Sequence, residues 1–281
     1  MSREDSGLAQ DRAGSARTSG LPGAVGLIKA YLVANVSMEV EYGASFAARV
    51  FSMLINDCMW LVFWIFYFDR FPVVRGWGRQ DVVWLWSLLA TGYGFGVVFF
   101  GNASNLARLI ARGELDVYLT QPKSVLLHVL ISRSVASGWG DVGFGLIVFA
   151  LLGEPTPVRC LLFAYGALLS GVFHTCFVIL AQSLAFFIGN SETFASQLSQ
   201  TIVHFSTYPT AIYDGWIKII LFTVIPAGFI SYLPIGLMRS FSWSYVLGVT
   251  AAAAGFIMLS VLVFRAGLRR YESGNLVVSR L

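Results

Sequence analysis

The chain has 281 residues, of which 57% are hydrophobic and only 12% charged, and its formal net charge is +4. A soluble domain is typically about 25% charged, so this composition argues against a soluble globular fold and makes a bilayer the natural solvent. Three cysteines, Cys58, Cys160 and Cys176, all lie in apolar runs, where cysteine serves as a small hydrophobe, so neither a disulfide framework nor a cysteine metal site is expected.

Residues 1–23 are polar and rich in Gly, Ser and Arg. They lack the apolar core of a cleavable signal and read as a disordered cytoplasmic tail. In residues 24–43, Leu27, Ile28, Tyr31 and Leu32 share one face at helical spacing, as in a helix lying along a membrane interface. A membrane-crossing helix needs about 20 apolar residues. Span 1 is expected over 46–68, interrupted by Arg49 and Asp57. Its aromatic run WLVFWIFYF (60–68) reads as lipid-facing anchorage. The loop 69–81 carries proline, glycine and charge and reads as a solvated turn. Span 2 covers 82–101 and contains TGYGFG, glycines that let helices approach closely.

Charge returns in the segment RLIARGELD (108–116). Asn102–Arg112 is a short amphipathic piece with Leu106, Leu109 and Ile110 on one side and Arg108 and Arg112 on another. Gly113 is a natural helix stop. Glu114 and Asp116 suit the N-terminus of the next helix, whose apolar face is Leu115, Tyr118 and Leu119. Pro122 ends this elbow before span 3, which falls in 124–152. Span 4 falls in 158–189, joined to span 3 by the short loop GEPTP. Residues 190–239 admit two readings. Either 193–208 is a polar fifth span and 210–235 an outer re-entrant hairpin, or 190–210 is interfacial and 216–233 crosses. Hydropathy alone prefers the second. Span 6 covers 243–265. With the N-terminal tail inside, the cytoplasmic segments hold 12 Lys and Arg and the outer ones 6, a bias that places both termini in the cytoplasm.

Catalytic constellations are scarce. His128, His174 and His204 lack metal-ligand spacing, and there is no H-E-x-x-H or G-x-S-x-G. The P-loop pattern G-x-x-x-x-G-K-[ST] is missing, so this chain does not bind ATP in P-loop fashion. Ionisable residues inside a membrane are costly and mark function by default. Asp57 and Arg133 each lie about 10 residues into their spans, so they are candidates to pair between spans 1 and 3. The competing expectation starts span 3 near Arg133, which then reaches the interface. Asp141 is too far along the helix to pair with Arg133, and His174 reads as a packing residue. A proton-coupled transporter would want more acidic residues or histidines deep in the bundle than these, and a channel would want repeated polar rings from an oligomer, for which only 193–208 offers candidates.

Three segments carry a resemblance: ARGELDVYLTQP (111–122), YPTAIYDGWIKIILFTVIPAGFISYLP (208–234) and GLRRYESGN (267–275). In this order around six spans they resemble the permease subunits of ABC transporters of the ABC-2 type. That resemblance implies an all-α membrane protein of six helices, with a permease domain over 24–275 and a short cytoplasmic tail over 276–281. It implies that the elbow is a coupling helix docking on a separate ATPase subunit through Arg108, Arg112, Glu114, Leu115, Asp116 and Leu119. ATP and Mg would then sit on that partner, with no catalytic residue, metal or cofactor here and no nucleic acid bound. The family places a polar fifth span before a broken outer hairpin. The implied assembly pairs two permease subunits in a bacterial plasma membrane and exports an amphipathic or apolar substrate. The alternative is an ion-coupled transporter using Asp57, Arg133, Asp141 or His174.

Overall fold

The computed structural model describes residues 23–121, 124–189, 191–209, 212–223 and 225–271. The expected tails, 1–23 except for Gly23 and 276–281, and the expected helix end at Pro122 lie outside these residues. The described chain is helical apart from one small hairpin. Four helices are long and apolar enough to cross a membrane: Gly43–Arg70, Arg79–Ala111, Pro157–Ile188 and Trp243–Leu268.

Helix α1 (Ala24–Glu41) meets α2 (Gly43–Arg70) at Tyr42. The face expected from spacing is the one that packs: Leu27, Ile28, Tyr31 and Leu32 are half-buried, and Asn35 on the same face is fully buried. Along α2 the buried positions are Asp57, Leu61, Trp64 and Phe68, at helical spacing. The aromatic run therefore divides. Trp60, Trp64, Tyr67 and Phe68 turn inward around Tyr208 and Trp86, while Phe63 and Phe66 stay exposed. The expected solvated turn is a hairpin, β1 (Val73–Val74) with β2 (Trp77–Gly78). Its two-residue loop, Arg75–Gly76, has positive φ at both positions, the backbone form that matches strand twist.

Helix α3 (Arg79–Phe100) is the central pillar, buried along most of its length. It starts where the Asp81 carboxylate accepts the Gly78 N–H at 2.8 Å. Its glycines do the packing expected of them. A Cβ on Gly92 would lie 2.7 Å from the Ala167 carbonyl oxygen, and one on Gly94 would lie 2.6 Å from that of Gly138. Backbone meets backbone on two faces, which recovers van der Waals contact where lipid offers no hydrophobic drive.

Past α3 come a 3₁₀ turn (Gly101–Asn105), α4 (Leu106–Ala111) and α5 (Asp116–Leu119). The expected third span is split. Helix α6 (Val125–Ile131) ends, residues 132–137 leave helical form, and α7 (Gly138–Leu152) resumes. Freed carbonyls at such a break need partners. Asn102 donates to the Val129 carbonyl at 3.0 Å and Asn35 to that of Ile131 at 3.1 Å. Helix α8 (Pro157–Ser183), capped by the Thr156 hydroxyl, and α9 (Ala185–Ile188) form the next long rod.

The contested region resolves into α10 (Glu192–Ser206), α11 (Trp216–Thr223), a π turn (Gly228–Tyr232) and α12 (Leu233–Arg239), before α13 (Trp243–Leu268). Helix α11 and the 228–239 segment meet at 65°. Asp214 pairs with Arg75, and Arg239 pairs with Asp81 at 2.7 Å while donating to the Gly76 carbonyl. Both ends of the bent segment therefore sit at the hairpin end of the bundle. Helix α10 runs the other way: Ala195 packs beside α4, and Phe205 and Tyr208 offer their carbonyls to the Tyr232 hydroxyl. Its hydroxyls cost little to bury because Ser199, Thr201 and Ser206 each donate to the carbonyl four residues back.

Candidate functional site

The elbow is a built structure with an inner and an outer face. On the inner face Leu106, Leu109, Ile110 and Leu115 pack with Val129, Leu130, Ile179, Ala195 and Phe264. It thus rests on the ends of α6, α8, α10 and α13. Gly113 has φ +74, the left-handed form that ends α4. Helix α4 leaves its first N–H groups without intrahelical partners. Gln182, 1% exposed on α8, supplies one acceptor: its Oε1 takes the Ala107 N–H at 3.0 Å. Its amide reaches the Ser199 hydroxyl on α10 at 3.4 Å. One buried side chain thus joins elbow, α8 and α10, and nothing in its sequence surroundings marks it.

Two further polar ties hold α5. The Tyr118 hydroxyl lies 3.1 Å from that of Ser132 in the break of the third span. Tyr271, past the end of α13, faces the Asp116 carboxylate and packs edge-on against Phe186. Burial first, then the hydrogen bond to the Asp116 carboxylate and its charge, push the Tyr271 phenol up to about 12.

The six elbow residues expected to contact a partner separate into four groups. Leu115 is 0% exposed and fills the chain's own core, so it offers no surface; the short turn after Gly113 folds it inward. Asp116 is half-buried against Tyr271. Arg108 and Glu114 line a groove on the side of α1 and α2. Arg112 and Leu119 are exposed on the outer face, joined by Val117 at 66% exposure. Val117 was not singled out from sequence, although it lies between charged and apolar residues of the same turn.

The groove has a volume of about 710 Å³ and is bounded by α1, the start of α2, the elbow and the break at 132–134. Arg49, Arg108 and Arg133 project from three separate elements into it, with Glu39 and Glu114. Arg49 pairs with Glu39 at 3.4 Å. Arg133 is exposed here, which corrects the expected pairing with Asp57: the break in the third span carries the guanidinium to the bundle end.

Asp57 instead meets Asp141. Both are 3% exposed, and their carboxyl groups face each other between α2 and α7, with the Oδ2 atom of each lacking a hydrogen-bond partner among the described residues. Asn56 donates to Asp57 at 3.4 Å. His174 on α8 packs edge-on against Tyr93 at 4.8 Å between ring centres, and its Nδ1 finds no partner. Among the described residues no group of three or more His, Cys, Asp or Glu could hold a metal ion.

Residues 54–274 match the model of a family described as "ABC-2 family transporter protein". No curated protein and no solved structure matches the chain.

Proposed function

The chain belongs to the ABC-2 transporter family, and on that premise we propose that it is the permease subunit of an ATP-driven exporter, with the elbow as its coupling helix. The observation that carries the reading is the two-sided elbow. Its inner face is packed on the ends of four helices, and its outer face presents Arg112, Val117 and Leu119. A partner pressing on that face moves helix ends directly, because the packed inner face leaves no slack to absorb the motion.

In this reading the elbow end is cytoplasmic, as are both termini, in a bacterial plasma membrane. Helix α10 is the fifth of six crossings, and 214–239 enters and leaves on the outer side. The ion pairs that tie both ends of 214–239 to the hairpin support this choice. ATP and Mg are bound and hydrolysed by a separate ATPase subunit, and no covalent chemistry occurs in this chain. A second permease subunit faces the apolar side of α2, where Phe51, Ile55, Met59 and Phe66 are exposed. An amphipathic or apolar substrate passes between the two subunits.

The test is co-purification from native membranes in mild detergent. Wild-type protein is expected to bring down a stoichiometric P-loop ATPase. V117D/L119D is expected to lose it, and V73D, at the exposed hairpin, to keep it. Retention by V117D/L119D would remove the coupling role from this face. A second reading, ion-coupled transport without an ATPase, draws on the buried Asp57–Asp141 pair and predicts transport from permease alone under a proton gradient.

A further inference from the structure

We propose that the groove between the elbow and α1 binds the phosphate-bearing headgroup of an amphiphile drawn from the adjacent leaflet. Three guanidinium groups converge on it from α2, the elbow and the break of the third span. Among the described residues neither the Arg108 nor the Arg133 guanidinium has an ion-pair or hydrogen-bond partner, whereas that of Arg49 is engaged by Glu39. Guanidinium forks match the oxygens of a phosphate.

The neighbouring polar groups do not neutralise them. The Ser134 hydroxyl donates to the Val98 carbonyl, and that of Ser132 donates to Val129 while lying within hydrogen-bond reach of Asn102 and Tyr118. Glu114 is the one other carboxylate lining the groove. An oxyanion would complete the charge balance that the protein leaves open.

The amphiphile is indicated by the other wall. Met38 lines the groove and is 58% exposed, and Val33 and Val40 are exposed on the same helix. Helix α1 thus brings the apolar Met38 side chain to the rim of a cationic groove and exposes further apolar side chains on another face, as a helix lying beside headgroups would. The floor is non-helical backbone, which is tolerated at membrane depth only where it lines a cavity or is buried in protein.

This inference names a substrate class for the export reading, but its test needs no ATPase, so the two fail separately. Purified permease is placed in phosphatidylcholine nanodiscs doped with phosphatidic acid, and retained lipid is measured by native mass spectrometry. Preferential retention of phosphatidic acid is expected, with R108Q and R133Q each weakening it about tenfold. R70Q, at the hairpin end, should leave it unchanged. E39Q/E114Q, which removes negative charge without removing a cation, should tighten it and needs no folded arginine variant. Inorganic phosphate should not displace the lipid. Equal retention of both lipids, insensitivity to R108Q/R133Q, no tightening in E39Q/E114Q, or full displacement by inorganic phosphate would each overturn the proposal; the last would leave a free-anion site in its place.

Discussion

Replacing Gln182 with leucine tests whether one buried side chain holds the elbow. Q182L keeps the side chain's approximate size, so little cavity arises. It removes the acceptor 3.0 Å from the Ala107 N–H. Ala107 is 0% exposed and lies in the first turn of α4, so neither water nor helix replaces that acceptor. An orphaned buried donor costs about 1–3 kcal/mol. S199A removes the contact to the Gln182 amide at 3.4 Å, a weak geometry, together with the hydroxyl's bond to the Ala195 carbonyl of its own helix, which keeps its ladder partner. Polar contacts between membrane helices average about 0.6 kcal/mol, so S199A should cost under about 1 kcal/mol. Thermal unfolding in detergent, followed by tryptophan fluorescence, should therefore rank wild type, S199A and Q182L in falling order. Each kcal/mol is expected to move the midpoint by roughly 2–4 °C. If Q182L unfolds no earlier than S199A, the Ala107 N–H is satisfied elsewhere and Gln182 does not position the elbow.

Two glycines on α7 should respond with opposite sign. A Cβ on Gly145 would lie 2.5 Å from the Ser87 carbonyl oxygen, whereas one on Gly143 meets nothing within 4 Å. G145A should cost about 1–3 kcal/mol by overpacking, while G143A should gain about 0.5–1 kcal/mol of helix propensity; equal midpoints in the same unfolding assay would contradict the close approach. For the Asp57–Asp141 pair, D57L or D141L alone strands a buried carboxyl and should destabilise by about 1–3 kcal/mol, whereas the double leucine variant should recover most of that loss. Additive losses in the double variant would show that the carboxyls do not depend on each other. Tyr271 has its phenol raised above the usual value of 10 to about 12. Its contribution is therefore complete below pH 10 and lost as pH rises from 10 to about 12. Y271F should flatten that part of the stability profile, and an unchanged profile would place the alkaline loss elsewhere.

Much of this architecture is written in residue spacing, and the failures have physical causes. The elbow was legible because charge, a glycine stop and an apolar stripe coincide within a few residues, and Gly113 takes the left-handed backbone that position demands. The partner of Asp57 was not legible. Counting residues from a span's start assumes an unbroken helix, and the break at 132–137 resets the height of Arg133 relative to Asp141. What stabilises that break, Asn35 and Asn102, comes from distant parts of the chain. The choice between 193–208 and 216–233 as the fifth span turns on Ser and Thr, which hydropathy counts as unsatisfied. In α10 their hydroxyls are already satisfied by their own helix, so the polar segment is less costly to bury than its composition implies. Leu115 misled for a related reason: an apolar residue in a charged turn looks like a contact for another protein, yet the chain uses it as a plug for its own core.

The pillar α3, the 3₁₀ turn and α4 follow one another as a single span-length segment. Arg79–Ala111 spans 33 residues, about 50 Å at 1.5 Å per residue. Its near end carries the elbow, and its far end carries Asp81, clamped to Arg239 at the end of the bent segment. Backbone-to-backbone contacts at Gly92 and Gly94 fix its azimuth against α8 and α7. Such a segment would act as a crankshaft rather than a relay. On the coupling reading proposed above, torque delivered at one mouth would reach the opposite mouth as the same rotation, gearing the two sides to move in phase. An obstruction at either end should stall both.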